Sequence, residues 1–97
     1  MWIGWIEFDL LLGDVHSLKE KRSLLRPLLA EIRKHFDVSV AEVDFQDLHR
    51  RAVVGVGLVA AERSRIVTAL DAVEEHVAAR PGMDLLAAHR GIITSND

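Results

Sequence analysis

Apolar and polar residues alternate along 2–12, with Trp2, Ile6, Phe8, Leu10 and Leu12 at even positions against Glu7 and Asp9 at odd ones. A period of two predicts a strand with one face packed and the other partly wet. Gly13-Asp14 then marks a turn. Ser17 followed by Glu20 is a capping-box pattern, in which hydroxyl and carboxylate satisfy orphan amides at a helix start. Beyond it the period changes to that of a helix. Leu18, Leu25, Leu28, Leu29, Ile32 and Phe36 form one stripe, while Lys19, Lys21, Arg22, Arg26, Glu31, Arg33 and Lys34 are expected on a solvated face. Pro27 removes a backbone donor in mid-helix, so a kink or break is expected there.

Val38 to Phe45 is a β-branched run with Glu42 and Asp44 at alternate positions, and predicts a second strand. Ala52 to Ala60 is apolar nearly throughout, as an interior strand would be. Gly55 and Gly57 within it predict a bulge or the close approach of another segment. The polar stretch 46–51 is short enough to be a hairpin connection. Ile66, Leu70, Val73 and Val77 set out a second amphipathic helix, started by Glu62 or Ser64, running to about Ala79 and stopped by Arg80-Pro81-Gly82. A last strand is expected from Met83 to about Ile93, with a frayed tail over Thr94–Asp97.

The order strand, helix, strand, strand, helix, strand is that of two right-handed βαβ units sharing a central hairpin. It predicts an α+β, ferredoxin-like βαββαβ sandwich: one four-stranded antiparallel sheet, order 4-1-3-2, with both helices on one face. The 97 residues suffice for one such domain over 1–97.

Composition narrows the chemistry. Without cysteine there is no disulfide framework, thiolate metal site or cysteine nucleophile. The apolar run Ala52 to Ala61 is about half of the ~20 residues a bilayer span needs, and the first residues lack a secretory pattern, so a cytoplasmic protein without a membrane partner is expected. Twelve Lys and Arg against fifteen Asp and Glu give a net charge of −3, which five histidines would carry to +2 if all were protonated.

In this topology one end of the sandwich gathers His16, Lys19, Lys21, Arg22, His49, Arg50, Arg51 and Arg80 beside the N-terminus of the first helix. Free amides and a partial positive charge there make the cluster a candidate anion or RNA site. The sheet face away from the helices should hold Ile3, Trp5, Glu7, Asp9, Glu42, Asp44, Val53 and Val59. Its carboxylates disfavour RNA on that surface. Its apolar centre, Ile3, Trp5, Val53 and Val59, is a candidate interface, and a homodimer through this face or an edge strand is expected. The acid pairs would lie ~10 Å apart, too far to share one metal ion, even with His89 near Glu7 or Asp9. No nucleophile elbow, Walker loop or dinucleotide fingerprint occurs. Neither catalytic residues, nor a resident metal, nor a cofactor is expected, and DNA is not an expected partner.

His16-Ser17-Leu18-Lys19-Glu20-Lys21-Arg22, and Val38-Ser39-Val40-Ala41-Glu42-Val43-Asp44 followed by Asp47-Leu48 and Arg51-Ala52, resemble two signatures of the YlxP-like bacterial family. The resemblance extends over nearly the whole chain. It implies a ferredoxin-like fold, no assigned catalytic residue, and genes that in some bacteria lie beside those of translation-initiation and ribosome-maturation factors. A non-catalytic module contacting RNA or a ribosomal particle through the basic end is therefore the leading expectation. The alternative is a homodimeric protein–protein interaction or regulatory module that uses the open sheet face and no nucleic acid.

Overall fold

The computed structural model describes residues 1–96. Its elements follow the expected order: β1 (Trp2–Leu12), α1 (Leu18–His35), β2 (Ser39–Asp44), β3 (Arg51–Ala60), α2 (Arg63–Ala78) and β4 (Met83–Thr94). The strands form one antiparallel sheet in the order β2-β3-β1-β4, which is the expected order read from the other edge. Thr94, expected in the tail, closes β4 opposite Trp2. Asp97, the tail's last residue, lies outside the described residues.

The core forms where the two periodicities meet. Ile6, Phe8, Leu10 and Leu12 of β1, with Ala52, Val54 and Val56 of β3, line the inner sheet face. Leu25, Leu28 and Ile32 of α1 and Ile66, Leu70, Val73 and Val77 of α2 cover them. Gly4 marks a close approach between layers. A Cβ placed there would stand 2.2 Å from Cγ2 of Ile66, so α2 can sit this low on β1 only over a glycine.

α1 begins as its sequence implies. Ser17 Oγ accepts a hydrogen bond from the Glu20 amide at 3.1 Å, and the Glu20 carboxylate accepts from the His16 amide at 3.2 Å. The helix then runs unbroken through Pro27. The bond that Pro27 cannot make is one turn back, at Ser23, and both residues lie on the exposed side, where water can serve that carbonyl. α2 starts at Glu62, whose side chain makes no capping bond. Across the sheet edge, Arg90 of β4 holds α2 through Asp71 at 2.9 Å and Glu74 at 3.2 Å. Burial works against that guanidinium's charge, but hydrogen bonds and Coulomb attraction from the two carboxylates outweigh it, leaving its pKa raised.

Candidate interaction site

The basic end is less free than its residue count suggests, and Lys21 shows why. It lies inside, 2% exposed, on the same stripe as Leu25, Leu28 and Ile32. Its ammonium donates to the carbonyls of Phe45 at 2.7 Å and Leu48 at 2.6 Å, with Gln46 at 3.4 Å, and meets Glu42 Oε2 at 2.8 Å. A lysine has three N–H donors, and the three hairpin carbonyls account for them, so Glu42 Oε2 is held by charge and accepts no hydrogen bond. This corrects two expectations. Lys21 is no solvent-facing ligand for an anion, and Glu42 is not on the open sheet face. Glu42 pairs with Val54 and points, like Val40 beside Val56, toward the helices.

What Lys21 holds is the β2–β3 hairpin in an unusual shape. Phe45 has φ +58, the left-handed region that bulky side chains avoid. Its amide donates to Asp44 Oδ1 at 2.8 Å and its carbonyl closes a turn with the Leu48 amide at 3.0 Å. The Arg51 guanidinium lies 5.2 Å from the centre of the Phe45 ring, and its Nη2 reaches both oxygens of Asp9 at 2.7 Å. Helix, hairpin and β1 are thus tied by one chain of charged contacts.

Other candidates of the basic end are also engaged. Arg50 Nε donates to the Gly13 carbonyl at 3.1 Å, Arg80 pairs with Glu31, and His16 Nε2 lies 2.7 Å from Asp14. Lys19, Arg22 and His49 remain exposed, with no ion pair among the described residues.

Cationic surface is concentrated elsewhere, along the outer side of α1. Lys19, Arg22, Arg26, Arg33 and Lys34 are all exposed. At ~100° per residue they fall within an arc of about 120°, roughly opposite Lys21, Leu25, Leu28 and Ile32. Arg33 alone is tethered, donating to the Val40 carbonyl at 3.0 Å. Glu20 and Glu31 stand together on one flank. The five cations and Glu20 sum to +4, so the remaining residues of a chain at −3 sum to −7. Of these cations the sequence reading selected Lys19 and Arg22, and took Arg26, Arg33 and Lys34 as ordinary solvated surface.

The open sheet face carries the four interface candidates. Ile3 lies between Val59 and Ile93, and Trp5 between Gly57 and Gly91. Trp5 is 41% exposed, Val59 61%, Ile93 53% and Val43 52%, all on this side. Val53 is half-buried beside Asp9 and Asp44. The register shifts between Glu42 and Asp44, and this bulge turns Val43 over Gly55, 2.9 Å from where a Cβ would stand. Of the two readings of the glycines, the close approach is present, at Gly55, and the bulge lies in β2 opposite them. His89 lies directly opposite Glu7.

Fold and surfaces together define a small ferredoxin-like α+β sandwich. The chain belongs to the DUF503 family, described as a protein of unknown function, which matches residues 3–90. It is similar to the uncharacterized protein YlxP of Bacillus subtilis (strain 168), with 36% identity over 61 residues, or 63% of this chain and 66% of that relative. The resemblance carried by the segments 16–22 and 38–52 is thereby borne out. Among the described residues no helix is long and apolar enough to cross a membrane.

Proposed function

We propose that this chain is a non-catalytic binding module that docks RNA on the outer face of α1, by contacts to the phosphodiester backbone. The observation that carries the proposal is the arc of Lys19, Arg22, Arg26, Arg33 and Lys34 on a protein whose remaining residues sum to −8. The long-range field then favours one helix face for a polyanion and opposes contact elsewhere. The ridge bears Ser23 and Ala30 between its cations and no exposed large apolar side chain to enter a bilayer, which favours phosphate over a membrane surface. It also lacks Asn, Gln and aromatic side chains that would read bases, so binding tolerates sequence. A ridge one helix wide follows one backbone strand. Glu20 and Glu31 at its edge oppose the second phosphate row of a duplex, so single-stranded RNA is favoured over double-stranded DNA.

Fluorescence anisotropy with a labelled single-stranded RNA, titrated at several salt concentrations, tests this. Five phosphate contacts to a single strand give a slope of log K against log salt near −3.5, at about −0.7 per contact. Arg22→Ala with Arg26→Ala removes two of them and flattens the slope by about 1.4. Arg63→Ala with Arg65→Ala, on exposed cations of α2, leaves it unchanged. Absence of binding at low salt, or equal loss in both double variants, refutes the proposal.

A further inference from the structure

We infer that β4 pairs along its outer edge with β4 of a second copy of this chain, antiparallel about Gly91, to make one continuous sheet from the two. The inference does not rest on RNA binding.

The two edges of the sheet differ in how their backbone is served. In β2–β3–β1 the Leu12 amide donates to the Arg50 carbonyl at 2.8 Å, which fixes the alternation of bonds across β3 and leaves the carbonyls of Val40 and Glu42 pointing out of β2. Both are taken. Arg33 Nη2 donates to Val40 at 3.0 Å and Gln46 Nε2 to Glu42 at 3.1 Å, and the bulge at Val43 ends the strand soon after. A guarded edge of this kind resists pairing with another chain.

β4 carries no such guard. The Ser95 amide donates to the Met1 carbonyl at 2.8 Å, so with the register His89, Gly91 and Ile93 turn their backbone to β1. The N–H and C=O groups of Ala88, Arg90, Ile92 and Thr94 therefore point outward. Among the described residues no side chain bonds to them, and Arg90 sends its guanidinium to Asp71 and Glu74 of α2 instead. The strand from Ala88 to Thr94 holds neither proline nor lysine. Below it the register shift opposite Asp9 and Leu10 interrupts the ladder.

This free run is centred on Gly91, and a two-fold axis through that point makes it its own partner. Ala88 then pairs with Thr94 of the other copy and Arg90 with Ile92, so all four outward residues bond. Two-fold contacts require this reciprocity, in which residue i meets j and j meets i. The result is about eight backbone hydrogen bonds, within the usual range of about 10 ± 5 for a specific interface. Neighbouring registers do worse. Centring on Arg90 sets two guanidinium groups directly opposite and runs Thr94 onto the bulge, while centring on Ile92 sets Ala88 beyond the end of the partner strand.

Trp5 fits the same axis. Its indole is 41% exposed and reaches from β1 across Gly91, standing 2.5 Å from where a Cβ would be. The two Gly91 residues form a non-hydrogen-bonded pair, whose side-chain positions lie ~4.5–5.5 Å apart. Each indole occupies its own Gly91 position, so the two ring edges meet over the junction and cover it. A different protein would have to supply both the bare backbone and the matching aromatic.

The test is sedimentation equilibrium of the full chain from about 1 μM to about 1 mM, spanning weak to moderate interfaces, with amide hydrogen exchange followed by NMR at the upper end. The expected mass is twice that of the chain, and the Arg90, Ile92 and Thr94 amides exchange at least about tenfold more slowly in the dimer than in the dilute monomer. Ala88→Pro removes an N–H that faces away from β1, a position where an edge strand accepts proline, so the far-UV circular dichroism is kept and the dimer is lost. A wild-type monomer over the whole range overturns the inference. So does a dimer in which those three amides exchange as fast as in the monomer, which transfers the contact to another surface without recourse to any substitution. A dimer of undiminished affinity in Ala88→Pro overturns it as well. None of these outcomes bears on the RNA titration, whose variants lie on α1 and α2.

Discussion

Replacing Lys21 by methionine keeps the length of the side chain and its fit beside Leu25 and Leu28, and removes only the charge and its donors. Glu42 then faces the interior with its carboxylate unpaired, and the carbonyls of Phe45 and Leu48 lose their bonds of 2.7 and 2.6 Å. Stripping one partner from a buried ion pair costs about 3–5 kcal/mol. The Glu42 side chain is 22% exposed, and the hairpin carbonyls lie near the surface, so water recovers part of this and the low end applies, about 3 kcal/mol. For a domain of this size that loss lowers the melting temperature by about 12–24 °C. Urea unfolding measures it directly, as a lower midpoint at unchanged slope. The double variant Lys21→Met with Glu42→Gln leaves no orphaned charge, and it should regain at least 1 kcal/mol relative to the additive sum. The Leu48 amide, whose acceptor is the Phe45 carbonyl, exchanges faster with solvent in the single variant than in wild type. A loss below about 1 kcal/mol, or strict additivity of the two substitutions, would refute the role assigned to this pair.

Three further substitutions test individual contacts by the same unfolding measurement. Gly4→Ala drives a methyl into Ile66 and costs about 1–3 kcal/mol; an unchanged midpoint would mean that α2 rides freely over β1. At Phe45 the usual ranking is reversed: glycine exceeds alanine in stability by about 1 kcal/mol, because only alanine keeps the left-handed penalty after the ring is gone. Equal stability of those two variants would remove the strain argument. Ser17→Ala deletes the acceptor for the Glu20 amide and costs about 1 kcal/mol, whereas Ser17→Asn costs little.

The fold was legible because its signals are redundant. β1 alternates, β3 is apolar nearly throughout, each helix carries its stripe, and the order of elements admits few topologies. The site was legible only in part, for reasons that lie in single residues. Lys21 precedes Leu25, Leu28 and Ile32 at spacings of 4, 3 and 4, the spacing of a core position, but its charge assigned it to solvent. Its acceptors come from the hairpin, 24 to 27 residues away, and no local pattern announces them. Glu42 and Asp44 were placed on one face because alternation is strict until a residue is inserted. The bulge at Val43 is that insertion, and it puts the two acids on opposite sides. Phe45 carries no sequence mark of a left-handed backbone, since glycine or asparagine is the usual sign.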